Sequence, residues 1–412
     1  MDTGLIILIL AVAIGLYSAI NIGANDVANS MATSVASKAL TIKRAVVVAA
    51  LCDITGAILV GAHVANTIRK GLVDPVQFTD TPDLFLYGML AAVAGSALWM
   101  NIATYFKLPV STSHSIVGGV MGFGLVTVGF AGIHWNIVLY VALSWILSPL
   151  FGGLIAFCLF TLIKKLILNS AEPISKTKKV GPFLVGVVLF ILALSIIYKG
   201  LKNLHLDLPL ANALLISFLV GIGGYMLGRF LLGRYKEKDS DPYMQVEQMA
   251  NPLQILAAGF QAFSHGGNDV ANAIGPVAAI VAVIRTQQVD MQVAVPFWLL
   301  LMGGAGLAIG VYFWGYRVIE TVGHKITTIT PTRGFTAGFG TATTVLICCR
   351  LGMPVSTTHV SIGAIIGVGL AKGISAINLK VIKSIFSAWI ISLPMAAGFS
   401  IGFYYLFILI FG

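Results

Sequence analysis

Apolar runs separated by short polar connections cover nearly the whole chain. Stretches at 84–106, 136–163, 181–198, 209–232, 294–316 and 384–411 each approach or exceed the roughly 20 apolar residues that cross a hydrocarbon core. The run from Leu5 to Ala19 has no basic flank before it and no small-residue cleavage site after it, so it predicts a retained first helix rather than a signal peptide. The pattern predicts an all-α polytopic membrane protein of about 12 membrane segments. Two regions, 84–130 and 330–371, read either as two full crossings each or as a re-entrant hairpin each, with a Pro-Val-Ser-Thr phrase at the tip. Residues 233–250 form the markedly polar stretch and read as a short linker.

The polar positions inside the apolar runs repeat. Gly23-Ala24-Asn25-Asp26-Val27-Ala28-Asn29 returns as Gly266-Gly267-Asn268-Asp269-Val270-Ala271-Asn272, and Pro109-Val110-Ser111-Thr112-Ser113-His114 returns as Pro354-Val355-Ser356-Thr357-Thr358-His359. The offsets are 266 − 23 = 243 and 354 − 109 = 245. The chain therefore divides into a first repeat at 1–170, two linking crossings with the linker at 171–250, and a second repeat at 251–412.

Composition sharpens this picture. Hydrophobic residues make up 58% and charged residues 10% of the 412, with a mean hydropathy of +0.95, whereas soluble domains carry about a quarter charged residues. The formal net charge of +10 is scattered over loops without an aromatic-interleaved basic patch, which excludes a nucleic-acid partner and points to topology. Lys164, Lys165, Lys176, Lys178 and Lys179 crowd one connection, and Arg229, Arg234, Lys236 and Lys238 crowd another two crossings later. Both are expected in the cytoplasm. Counting outward from them places the N- and C-termini outside the cell membrane and makes the halves enter from opposite sides, the inverted-repeat construction of secondary transporters. Cys52, Cys158, Cys348 and Cys349 lack paired metal-ligand spacing and read as small buried hydrophobes.

In each hydroxyl phrase proline stops the preceding helix and Ser or Thr caps a new one. The new helix N-terminus, with its unpaired N–H groups and dipole, makes an anion site that needs no Arg or Lys. Ser111, Thr112, Ser113, Ser356, Thr357 and Thr358 are the expected ligands, two tips gripping a small tetrahedral oxyanion. In the carboxylate phrases glycine permits unwinding. Asn25, Asp26 and Asn29, with Asn268, Asp269 and Asn272, would then form hard-oxygen shells suited to sodium, a proton on Asp26 or Asp269 being the competing reading. Asp53, without an acidic counterpart at the repeat offset, is either an extra cation site or a structural hydrogen-bonding group. His114, His359 and His265 read as capping or packing residues, proton transfer being the alternative. Nothing resembles a nucleophile with its base, a nucleotide loop or a zinc cluster, so the chain is not expected to be an enzyme.

At these residues the chain resembles the inorganic phosphate transporter (PiT) family. The Gly-Ala/Gly-Asn-Asp-Val-Ala-Asn phrases, their continuation through Asn272-Ala273-Ile274-Gly275-Pro276, and the runs Leu108 to Ser115 and Met353 to His359 match that family's motifs in order. The resemblance implies a prokaryotic sodium/phosphate symporter working by alternating access, with hydroxyl phrases on phosphate and Asn-Asp phrases on co-transported sodium. Asp53 stands where the family is expected to have Glu, Gly338 where it often has an acidic residue, and Ser113 where Thr is common. The expected setting is the inner (plasma) membrane, with lipid, phosphate and sodium as partners and homo-oligomerisation left open. Proton-coupled phosphate or sulfate permeation and a passive anion channel are the alternatives.

Overall fold

The computed structural model describes residues 3–61, 72–197, 208–237, 240–286, 288–289, 295–319, 328–351, 355–373 and 378–412. Among them lie the α-helices α1 (Thr3–Ala36), α2 (Ile42–Val60), α3 (Pro82–Tyr105), α4 (Thr112–Thr127), α5 (Trp135–Ile163), α6 (Pro173–Ser195), α7 (Leu210–Gly233), α8 (Pro242–Thr286), α9 (Phe297–Trp314), α10 (Pro331–Arg350), α11 (Thr357–Lys372) and α12 (Leu379–Phe411). Met353 and Pro354 of the second hydroxyl phrase, and Lys238 of the topology argument, lie outside the described residues.

Among the described residues eight helices, α1, α3, α5, α6, α7, α8, α9 and α12, are long and apolar enough to cross a membrane. The exposed faces of α5, α7 and α12 are built from side chains such as Leu150, Leu154, Leu215, Phe218, Met226, Ile390 and Leu409. That inverts the soluble-protein pattern and suits hydrocarbon outside. The polar residues are turned inward instead: Asn25, Asp26, Asn29, Asp53, Asn268, Asp269 and the Ser and Thr residues of both hydroxyl phrases are all buried. α4 and α11 have 16 residues each, about 24 Å at 1.5 Å per residue, short of a hydrocarbon core of about 30 Å.

Helices of the two halves exchange partners. α2 packs on α8 while α9 packs on α1, and α5 packs on α10 and α11 while α12 packs on α3 and α4. α6 and α7 pair with one another. The exchange depends on glycine. A Cβ at Gly23 of α1 would fall 2.0 Å from the carbonyl oxygen of Leu307 in α9, and one at Gly266 of α8 would fall 2.1 Å from that of Asp53 in α2. Helix backbones meet there at a distance that only glycine permits.

This corrects one sequence expectation. Gly23 and Gly266 do not unwind their helices: α1 runs unbroken from Thr3 to Ala36 and α8 from Pro242 to Thr286. The i to i−4 ladder already satisfies the carbonyls, and the missing side chains serve close packing rather than backbone release. The chain breaks instead at the hydroxyl phrases. Ser111 and Ser356 are extended N-caps whose hydroxyls accept from the backbone N–H of His114 and His359, at 3.2 Å each. One further expectation fails in part: Cys348 and Cys349 are buried, but Cys52 is half-buried and Cys158 is exposed on the outer face of α5.

Candidate functional site

The starts of α4 and α11 abut the middles of α1 and α8, and the repeated phrases meet there. Thr112 donates to Asp269 Oδ1 at 3.1 Å and Thr357 donates to Asp269 Oδ2 at 2.7 Å. Thr358 donates to Asp26 Oδ1 at 3.1 Å. Each carboxylate thus receives a hydroxyl from the opposite half of the chain. The two tips also touch: Ser113 donates to the carbonyl of Val355 at 2.8 Å, and Thr358 lies 3.1 Å from that of Val110.

The asparagines divide into two kinds. Asn29 Nδ2 bridges Asp26 Oδ1, at 3.1 Å, and Thr358 Oγ1, at 2.9 Å. Asn272 Nδ2 likewise bridges Asp269 Oδ1, at 3.0 Å, and Thr112 Oγ1, at 3.2 Å. Spacing of three residues within a helix puts each Asn beside its Asp on one face. Asn25 and Asn268 instead tie the long helices to the tips. Asn25 donates to Thr104 Oγ1 and to the Leu108 carbonyl and accepts from Val110 N–H. Asn268 donates to Asp269 Oδ1 and to the Val355 carbonyl, and its own Oδ1 accepts from Cys349 Sγ. Their amides hold the helix starts in place.

The sequence reading named Asp53 and His265 separately and did not join them. His265 lies one turn before Asp269 on α8; its Nδ1 donates to Asp53 Oδ1 at 2.8 Å, and its Nε2 stands 3.5 Å from Asp269 Oδ2 and 3.8 Å from Asp26 Oδ2. Asp53 is therefore not isolated but orients an imidazole between the two repeated carboxylates. Asp26, His265 and Asp269 offer one ligand atom each within 4.8 Å of one another, a spacing that could hold a metal ion. Asp26 Oδ2, Asp53 Oδ2 and His265 Nε2 are buried with no hydrogen-bond partner among the described residues. Three buried carboxylates share one imidazole, and among the described residues no Lys or Arg pairs with them. Such an excess of buried acid calls for a bound cation or for protonation. Gly338, another departure from the family pattern, faces Ala257 and Gln261 rather than this cluster.

A second ring of polar contacts supports the site. Gln261 donates to the Asn29 carbonyl, which also accepts from Ser361 at 2.9 Å, and Gln254 donates to the hydroxyls of Thr33 and Ser34. His114 and His359 bear out the packing reading. Their Nδ1 atoms donate to the carbonyls of Trp389 and Trp145, both at 3.1 Å, and the two rings meet edge to face at 4.5 Å between centroids.

The chain is similar to known proteins along nearly its full length. Residues 22–400 match the family described as "Phosphate transporter family". The "Putative phosphate permease TK2061" of Thermococcus kodakarensis is 44% identical over 390 residues, 95% of each chain, and the "Putative phosphate permease" of Haemophilus influenzae is 39% identical over 398 residues, 95% of this chain and 94% of that one. A solved structure described as "The sodium-dependent phosphate transporter" superposes with a TM-score of 0.92 at 42% identity, covering 98% of this chain and 99% of that chain. The family is one of permeases rather than enzymes. With matches along nearly its full length in sequence and in fold, this chain belongs to the phosphate transporter family.

Proposed function

We propose that the protein is a secondary active symporter that imports inorganic phosphate together with sodium ions across the inner (plasma) membrane. It works by alternating access between two inverted-topology repeats, 1–170 and 251–412, joined by the crossings and linker at 171–250. The carrying observation is the cross-half bonding of Thr112 to Asp269 and Thr358 to Asp26, which supports one polar centre built equally by both repeats. The short α4 and α11 favour re-entrant hairpins, whose tips present helix N-termini at mid-depth. Phosphate is held by those N-termini with Ser111, Thr112, Ser113, Ser356, Thr357 and Thr358. Sodium is held by Asp26 and Asp269 with Asn25, Asn29, Asn268 and Asn272, and Asp53 acts on the same charges through His265.

Hydroxyls that donate to carboxylates in the structure can turn to phosphate oxygens when cations take over the carboxylates. Anion and cations thereby favour each other's binding, which is the coupling a symporter needs. Rocking one repeat against the other would open this centre to alternate sides. Phosphate uptake into proteoliposomes under imposed gradients tests the reading. Accumulation should follow an inward sodium gradient. Uptake driven by a pH gradient alone would assign the coupling to protons, preference for sulfate would reassign the cargo, and flux that only dissipates a phosphate gradient would make the protein a channel.

A further inference from the structure

The imidazole at the polar centre bears on which cations it can take. His265 and Asp269 lie one turn apart on α8, on one face of the helix, and Asp26 reaches the same ring from α1. The ring's Nδ1–H is committed to Asp53 Oδ1 at 2.8 Å, so a neutral imidazole turns its Nε2 lone pair toward the two repeated carboxylates. Nε2 and Asp26 Oδ2 are buried with no hydrogen-bond partner among the described residues. Thr357 donates to Asp269 Oδ2 and leaves that oxygen a further lone pair. A proton shared with a carboxylate would draw Nε2 to about 2.7–2.9 Å from its oxygen. The ring stands 3.5 Å from Asp269 Oδ2 and 3.8 Å from Asp26 Oδ2 instead. Ligand atoms about 2.1 Å from a tetrahedral zinc ion are about 3.4 Å apart, close to those spacings.

We propose that Asp26, His265 and Asp269 bind one divalent first-row transition cation of the zinc class, with Asp53 as the positioning residue behind the imidazole. The three offer one ligand atom each within 4.8 Å of one another. Oxygen-only shells suit magnesium and calcium, whereas an imidazole nitrogen suits zinc, nickel, copper or iron. A carboxylate on the far nitrogen fixes the tautomer and raises the basicity of the ligating one, the usual support of a metal-binding histidine. Asp53 holds that position. Two carboxylates balance the charge of a divalent ion, and water completes a four-coordinate shell. The ion ties α1 of one half to α8 of the other and blocks the centre to other cations. The site shares Asp26 and Asp269 with the sodium reading but does not rest on it.

The test titrates the full untagged chain in detergent with zinc, in a sodium-free buffer, and records X-ray absorption at the zinc edge. One tight equivalent should bind, with an imidazole nitrogen and oxygens in its shell, and magnesium at equal concentration should not displace it. Asp53→Asn leaves all three ligands in place and should weaken binding ~10- to 100-fold. His265→Gln should remove both the tight binding and the imidazole signal. His134→Gln, at the exposed His134–Asp74 pair, should change neither. Thermal unfolding checks that each variant is folded; where His265→Gln is not, Asp53→Asn and His134→Gln decide. A shell without imidazole, equal displacement by magnesium, affinity unchanged by Asp53→Asn, or a loss in His134→Gln would each overturn the proposal. No phosphate flux is measured, so a failure here leaves the transport reading untouched.

Discussion

The two copies of the Gly-Asn-Asp-Val-Ala-Asn phrase are nearly identical in sequence yet sit in unlike surroundings. Asp269 accepts from Thr112, Thr357, Asn268 and Asn272, using both carboxylate oxygens. Asp26 accepts from Asn29 and Thr358 through Oδ1, while its Oδ2 has no hydrogen-bond partner among the described residues and stands 3.8 Å from His265 Nε2. The neighbouring helices differ as well. Gly23 meets the backbone of Leu307 as Gly266 meets that of Asp53, and Gly310 meets Ile20 as Gly56 meets Phe263. The α2 to α9 offset is thus 307 − 53 = 254, as is 310 − 56. Leu307 is the counterpart of Asp53 and, since 265 − 243 = 22, Ile22 is the counterpart of His265. One crossing carries an acid and an imidazole; the equivalent crossing carries two aliphatic side chains. The two crossings thus differ in polarity, and Oδ2 of both repeated carboxylates faces the imidazole, at 3.8 Å for Asp26 and 3.5 Å for Asp269.

The sharpest way to break that comparison is to make the sides alike. Asp53→Leu or His265→Ile alone should destabilise the protein by about 3–5 kcal/mol, because either change leaves a buried polar partner uncompensated. The double variant should recover much of that loss, since it recreates the apolar pair. Thermal unfolding in detergent measures both, and additive losses would show that the pair is not coupled.

Next in size is the contrast between the repeated carboxylates. Asp269→Asn turns an amide NH₂ toward existing donors and should cost about 1–3 kcal/mol. Asp26→Asn, able to place its NH₂ at the unbonded oxygen position, should cost clearly less. Both should abolish uphill phosphate accumulation; equal stability losses would remove the asymmetry argument. The smallest effect concerns the hydroxyls. Thr358→Val and Thr357→Val should each weaken phosphate binding by about 2- to 10-fold, the value of one hydrogen bond. Calorimetric titration with inorganic phosphate checks this, and unchanged affinity for both would move the anion elsewhere.

Much of the site was legible before the fold was known. A buried Asp or run of hydroxyls in an apolar segment is costly, so its recurrence at a fixed offset singles out those positions as candidates. Thr112, Thr357, Thr358, Asp26 and Asp269 were readable for that reason. The Asp53–His265 pair was not, because its members are 212 residues apart and neither has a polar counterpart to flag it. That very lack of a counterpart was the available signal. The phrase glycines were misread because close helix crossing and unwinding demand the same residue, and only the neighbouring backbone distinguishes them.

Chain order alone set the helical, membrane-crossing character, the recurrence of the two polar phrases, and the two places where capping hydroxyls restart a helix, since these follow from local hydropathy and hydrogen-bonding capacity. Packing settled which half supplies each carboxylate's hydroxyl, how α2 and α9 trade partners, and where the imidazole stands. Those outcomes depend on backbone approach distances between segments hundreds of residues apart, and no local pattern encodes a distance of that kind.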